Sequence, residues 1–451
     1  MISQNADSSS GNMIDIQIEE SLGRETLMTI DSSNFKEDLF SILGFIIILV
    51  ITTITGIIGP KSYDCHAQKL LIDQNKLEMQ LSHNHISVYN RYTKIFIEFE
   101  KDSSNEIPKS VGLIDYSIAL TNKKVIVNNY YGKISNQTLN FQTGSSTSDQ
   151  ILLYSSPLIE YDAIRIDIVV TDAEHLRAAQ VSHYLATIQH SYYEIYFRTA
   201  FAIIEFMLLI LFVFSLRKVS YSFWHLEQKL TLHLQFLSML FNNPLIYLTI
   251  TYPSKTGLIL DILIKSIFTT YFRYFVLVLF DSLRYKNRKT DPCFFVPKIL
   301  FSFAMFATIY LNTMITELPS YLPFELSDEV KKYIDTADTA LFGVYLVWAA
   351  ITTLFAGCQV DITERYKYVI YIISGIAALA LLATSELLFK FFKFFQDSSL
   401  QFVEQFSIYN VFSMLMVYFH WPFEIFRDQD YLDGDLQADL PGQFFVNEDE
   451  E

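Results

Sequence analysis

Cysteine is nearly missing from this chain. Cys65, Cys293 and Cys358 make no CxxC and no Cys/His spacing, so no zinc site is expected. Charge is thin too: Asp, Glu, Lys and Arg make up 18% of 451 residues, where soluble domains carry about a quarter. Enzyme signatures are absent: no GxSxG, HExxH, phosphate-cradling glycine loop or paired-carboxylate motif occurs. The chain is therefore not read as an enzyme. His225 and His233 share a helical face but have no further ligands at matching depth, so no metal or other cofactor is expected.

What the chain has instead is apolar length. Half of it is hydrophobic (51%), and those residues clump into runs. A bilayer solvates such runs, provided each closes its own backbone hydrogen bonds as a helix. Leu39–Ile58 is the first. It lies far from the N terminus, has no basic leader and is followed by Gly59-Pro60-Lys61, so it reads as a signal anchor. Seven more runs follow near 199–216, 231–250, 257–281, 299–316, 338–356, 369–389 and 403–420. Eight transmembrane helices are expected.

Between the first run and the second the period changes. Ile86–Glu100 alternates apolar and polar residues, as a half-buried strand does. Ser117–Leu120, Lys124–Val127, Thr138–Gln142, Gln150–Leu153 and Ala163–Val170 also read as strands. A small antiparallel sandwich is the simplest assembly. Asn136-Gln137-Thr138 is a glycosylation sequon, which suits a lumenal domain.

The net charge of −16 is a property of the tails. Residues 1–38 carry eight acids against Arg24 and Lys36, and residues 424–451 carry ten against Arg427. The membrane-bound remainder is near neutral, and no nucleic-acid partner is expected. Loops 217–230, 282–298 and 357–368 hold ten Lys and Arg, the alternate loops five. The positive-inside rule sends the first set to the cytosol. The expected order is a cytosolic acidic tail (1–38), helix one (39–58), a lumenal or extracellular sandwich (59–198), a seven-helix bundle (199–420) and a second cytosolic tail (421–451). Cys293 and Cys358 then fall at membrane boundaries. Small buried residues are the plainer reading for both, palmitoylation the functional one.

Several stretches resemble the Wntless-like membrane proteins, and within them the transmembrane protein 181 family. They are Gly56-Ile57-Ile58-Gly59-Pro60-Lys61, Glu194-Ile195-Tyr196-Phe197-Arg198, Ser215-Leu216-Arg217-Lys218, Trp224 with Glu227-Gln228-Lys229, Asn243-Pro244, and Val296-Pro297-Lys298. No one of them is specific; their order and spacing on this topology carry the likeness. The resemblance implies a GOLD-like sandwich on a seven-helix bundle. It also implies a receptor or cargo escort in the Golgi, endosomes or plasma membrane. In Wntless the sandwich and a bundle cavity carry lipidated cargo, while transmembrane protein 181 proteins are described as receptor-like. Here the sandwich has only Cys65, so any disulfide of relatives is missing. No Wnt-binding pattern carries over.

Charges inside spans call for a functional reading first. Asp261 and Lys265 lie four apart on one helical face and can pair, with Arg273 deeper on a similar face and Glu205 as its partner. The functional reading is a polar lining for a ligand or cargo; the plain one is an interior pair that fixes packing. Asn243-Pro244 is expected to kink its helix. Trp224, Trp421, Tyr418 and Tyr366 read as an interfacial belt, and Lys229 as a contact for membrane lipid phosphates. Glu364-Arg365-Tyr366 and Asn243-Pro244-Leu245-Ile246-Tyr247 echo rhodopsin-like motifs, but in the wrong order along the chain. The leading expectation is a receptor-like escort for a protein or lipidated cargo, with trafficking machinery on its cytosolic side. A cell-surface receptor of signalling or toxin-binding type comes next, then a transporter or intramembrane enzyme.

Overall fold

The computed structural model describes residues 27–33, 35–73, 76–102, 110–141, 145–171, 173, 175–217, 220–252, 254–283, 292–318, 328–360, 365–391 and 399–423. Most of both acidic tails, Lys218 and Glu364 lie outside these residues, as do the side chains of Asn136 and Glu386.

A short strand, β1 (Leu27–Met28), opens the described chain and leads through one helical turn into α1 (Phe35–Ile58). Only 11% of the apolar window of α1 is buried, so most of it faces the surroundings that a bilayer would fill. Its contact face is built on glycine. A Cβ on Gly56 would stand 3.2 Å from Val403 Cβ, and one on Gly59 3.1 Å from Ser399 Cβ. The missing side chains let α1 settle on α9 (Leu400–Phe419).

The sandwich follows: β2 (Tyr63–Leu71), β3 (Lys76–Asn84), β4 (Thr93–Lys101), β5 (Ser110–Asn122), β6 (Val125–Thr138), β7 (Ile151–Ser156), β8 (Ala163–Thr171) and β9 (Leu176–Ala186). They form two four-stranded antiparallel sheets, ordered β2-β9-β4-β7 and β3-β8-β5-β6. Alternation builds the core. Ile95, Ile97 and Phe99 of β4 point inward against Ile164, Ile166 and Ile168 of β8, and all six are buried. Sequence periodicity missed β2, β3 and β9. β2 is largely exposed on both faces, and β9 is buried on both, with Ala179, Val181 and Leu185 in the core and Ala178 and Ser182 covered on the other face, so neither strand shows a clean alternation. The expected strand at 138–142 stops early, because β6 ends at Thr138.

The bundle comprises α2 (Ile188–Leu216), α3 (Leu226–Phe241), α4 (Ile246–Thr251), α5 (Lys255–Ser282), α6 (Pro292–Glu317), α7 (Asp328–Gln359), α8 (Arg365–Phe391) and α9. Among the described residues six helices, α1, α2 and α5 to α8, are long and apolar enough to span a membrane. The expected spans at 231–250 and 403–420 do not meet that measure, for two reasons. Asn242-Asn243-Pro244 breaks the first into α3 and α4, with Asn243 at φ 46. The second is α9, an interior helix that keeps Ser407, Asn410 and Ser413 buried. A helix shielded by its neighbours need not be apolar all round. Around α9 and α5 an aromatic core closes, with Phe241, Phe268, Phe272, Phe406, Tyr409 and Phe412 in edge and stacked contacts.

The first and last described segments meet at the end of the bundle away from the sandwich. There β1 pairs antiparallel with β10 (Pro422–Phe423), and Met28 and Ile30 are buried. Cys293 and Cys358, expected to be small buried residues, are both exposed, as is Cys65.

Candidate functional site

The sandwich meets the bundle through a buried ladder of charge. The chain enters it from a 3-10 turn, Val88–Asn90, capped at Ser87 and pinned where Asn90 donates to the Ala186 carbonyl at 2.7 Å. This places Arg91 at φ 51, a conformation that costs a non-glycine residue of order 1–3 kcal/mol and persists only where neighbours enforce it. Its guanidinium closes on the Glu194 carboxylate in the first turns of α2. Burial alone would lower the Arg91 pKa, but Glu194 beside it raises it above the ordinary value.

From Glu194 the ladder runs along and across the helices. Arg198, one turn on, stands 2.9 Å from Glu194 and 3.7 Å from Asp261 on α5. Asn243, at the α3–α4 break, donates to Asp261 at 2.8 Å. Arg198 also covers the rings of Phe402 and Phe406 at 5.5 and 5.4 Å, where cation–π attraction holds the guanidinium between them. Charges taken out of water this far are tolerated only when paired on several sides, as these are.

A narrow cleft opens beside the ladder. Arg91, Val88, Pro157, Leu158 and Ile159 line it from the sandwich; Asn243, Ile246, Ile250, Leu258 and Asp261 line it from the bundle. Its walls mix apolar side chains with Thr249 and Ser254, and its charged and amide groups come from Arg91, Asn243 and Asp261.

The charges singled out from sequence are distributed differently. Asp261 takes Arg198 and Asn243 as partners, while Lys265 reaches across to Glu317 of α6 at 3.2 Å, so the expected Asp261–Lys265 pair does not form. The Lys265–Glu317 pair is half exposed in the structure. Arg273 lies deeper, its guanidinium 4.4 Å from the Phe342 ring and 6.0 Å from Tyr345. Its proposed partner Glu205 belongs to another cluster. Gln235 and Ser238 donate to the Glu205 carboxylate, and Ser238 and Asn242 reach Asn410 at 3.3 and 2.8 Å. Side chains of α2, α3 and α9 thus satisfy one another in the bundle interior.

The residues that carry the resemblance hold the frame. Lys61 and Pro60 follow α1, where Thr187 donates to the Lys61 carbonyl at 2.5 Å and Ser399 to the Pro60 carbonyl at 2.7 Å. Arg217 caps α2. Trp224 packs with Phe212, Leu216, Val417 and Trp421, a protein contact and not an open membrane belt. Gln228 accepts from the His225 amide at 3.1 Å, and Glu227 accepts from Ser282 at 3.3 Å. Lys229 covers the Tyr221 ring at 4.7 Å. Pro297 sits in the second turn of α6, and buried Lys298 pairs with Asp281 at 2.7 Å. Pro244 stands at the break between α3 and α4. Asn136 lies in β6.

A two-sheet sandwich inserted ahead of such a bundle defines a multi-pass membrane protein. Residues 187–424, more than half of the chain, match the Wntless-like transmembrane domain, and the chain belongs to that family. It is similar to Transmembrane protein 181 of Homo sapiens, with 26% identity over 266 residues, 56% of this chain and 54% of that protein. The chain thus matches about half the length of that curated relative.

Proposed function

We propose that this protein is a receptor-like escort: it binds a protein or lipidated cargo where sandwich and bundle meet, and accompanies it through the secretory pathway. The observation that carries the reading is the cleft where sandwich and bundle meet, lined by apolar Leu158, Ile159, Ile246, Ile250 and Leu258 together with Arg91, Asn243 and Asp261. An apolar moiety would lie along Ile246 and Ile250, and polar groups of the cargo would meet Arg91 and Asp261. The sandwich would then face the lumen or outside and both tails the cytosol, as the ten-to-five Lys/Arg bias and the Asn136 sequon suggest.

The test is proximity labelling from an enzyme inserted in a sandwich loop in living cells, with glycosidase mapping at Asn136. Lumenal secretory cargo among the labelled proteins, lost in an Arg91→Leu, Asp261→Asn variant that still reaches its compartment, would support escort. Labelling of surface signalling partners with no cargo would replace it with a cell-surface receptor. Cytosolic labelling would overturn the orientation.

A further inference from the structure

Every strand end near the bundle is also an end near the bilayer. Tyr63, Thr93, Ala163 and Ala186 all lie at that end of the sandwich, and the β5–β6 turn lies there with them. Asn122, just before the turn, shares an open cleft with Thr251, Tyr252 and Ser254, the connection between α4 and α5. The helix α5, long and apolar enough to cross a membrane, starts at Lys255 directly after that connection, so the hairpin tip lies beside the sandwich-side end of a candidate span.

The tip has an unusual composition for its geometry. Its two central residues, Lys123 and Lys124, have φ 49 and 69. Hairpin turns with two positive φ values favour Asn-Gly or Asp-Gly, which adopt them with little strain. Two lysines keep the strain and set two exposed ammonium groups side by side. Directly behind them Val125, Ile126 and Val127 are 67, 61 and 52% exposed at the start of an edge strand. In water such a segment invites aggregation. At a bilayer surface it has a partner: aliphatic side chains enter the boundary between headgroups and acyl chains, and the cations meet lipid phosphate. On and beside α4, Leu245, Leu248 and Tyr252 are exposed as well, and Tyr252 lines the cleft that Asn122 shares.

We infer that the β5–β6 tip is an accessory membrane anchor, with Val125 to Val127 inserted in the leaflet on the sandwich side and Lys123 and Lys124 on its phosphates. This fixes the tilt of the sandwich over the bundle at a second point, on the opposite sheet from the Arg91–Glu194 contact. It stands independently of any cargo role.

The experiment uses the full chain with Cys65, Cys293 and Cys358 replaced by Ser and one cysteine at Ile126 carrying an environment-sensitive fluorophore. The protein is reconstituted in phosphatidylcholine vesicles with and without phosphatidylserine. The Ile126→Cys probe is expected to be quenched by doxyl-labelled lipid and protected from aqueous iodide. Lys123→Glu with Lys124→Glu should relieve the lipid quenching, most clearly in the anionic vesicles. A probe at Tyr131→Cys, farther along the same strand and 78% exposed, serves as the aqueous reference. Equal iodide access at both positions would overturn the inference. Protection from iodide without lipid quenching would also overturn it, because a protein surface would then cover the tip. In the unsubstituted chain, acylation of Lys123 and Lys124 by a water-soluble reagent should rise when vesicles are dissolved in detergent; unchanged reactivity counts against the anchor.

Discussion

Acid should loosen the sandwich from inside, through His183. This residue is buried in β9, the strand paired on both sides by β2 and β4. Its Nε2 lies 2.6 Å from the Thr93 hydroxyl, and its Nδ1 is buried without a hydrogen-bond partner. The ring faces two other imidazoles, His83 of β3 with centroids 5.5 Å apart and, beyond it, His66 of β2 at 4.3 Å from His83. His85 adds positive charge beside His83, and Asp64 is the one carboxylate acting on it. Burial, with His83 and His66 adding to it, pushes His183 down to about 4, and burial lowers His83 as well. The sign follows from linkage. In the unfolded chain His183 takes up its proton near pH 6.5 and in the folded chain only near 4, so stability present above pH 6.5 drains away as pH falls through that window. With these two values the His183 contribution lost by pH 5 is about 2 kcal/mol. The assay is amide hydrogen exchange of Val181–Leu185 in the full chain, corrected for the intrinsic rate at each pH. The opening free energy should fall by about 2 kcal/mol between pH 7.5 and pH 5. A His183→Gln variant should lose most of that slope. An unchanged opening free energy, or the same fall in the variant, would refute the argument.

Three further outcomes follow from packing and charge. Glu194→Gln leaves Arg91 and Arg198 without their shared carboxylate and should cost about 3–5 kcal/mol, read as a lower thermal midpoint in detergent. Removing one partner of the buried Lys298–Asp281 pair, by Asp281→Leu, should destabilise by a similar amount, about 3–5 kcal/mol. Lys298→Met in the same chain should restore most of it, and a double variant as unstable as the single would sink the pairing argument. Gly56→Leu drives a side chain into Leu400 and Val403 and should cost about 1–3 kcal/mol, while Gly44→Leu on the open face of the same helix leaves the midpoint unchanged.

Much of this architecture could be read from the chain before any coordinates. Apolar runs locate helices because the bilayer forces each to be continuous and self-bonded, and α1, α2 and α5 to α8 fall where their runs do. The reading weakened wherever the protein itself supplies the solvent. α9 carries Asn410 and Ser413 because α3 and its cap receive them: Ser413 donates to Gln235 at 3.0 Å, and Asn410 accepts from Ser238 and Asn242. No one-dimensional hydropathy can tell that helix from a less stable span. The strands behave the same way. β4 and β8 alternate large apolar and polar residues, so their period shows; β9, paired on both sides, is buried on both faces and carries small Ala178 and Ser182 opposite its core side, so its period does not.

The site was legible only as types of residue, never as pairs. Asp261 and Lys265 are four apart on a helix, the spacing at which opposite charges meet, and that local rule was outweighed by contacts 63 and 52 residues distant in sequence, to Arg198 and Glu317. Arg91 was not singled out at all. It falls inside Ile86–Glu100, whose alternation reads as one strand in which an arginine is ordinarily a solvated surface residue, whereas the strand starts only at Thr93 after a 3-10 turn. What changes its role is the insertion point: the sandwich sits between α1, ending at Ile58, and α2, starting at Ile188, so β2 and β9 are held beside the helices and the turn at Arg91 packs onto α2. The one local signal was Glu194 and Arg198 in the entry to α2, two opposite charges one turn apart at the mouth of an otherwise apolar span. That pair is neutral on its own, so it gave no sign of the further cation and anion that join it: Arg91 arrives from the sandwich and Asp261 from a neighbouring helix.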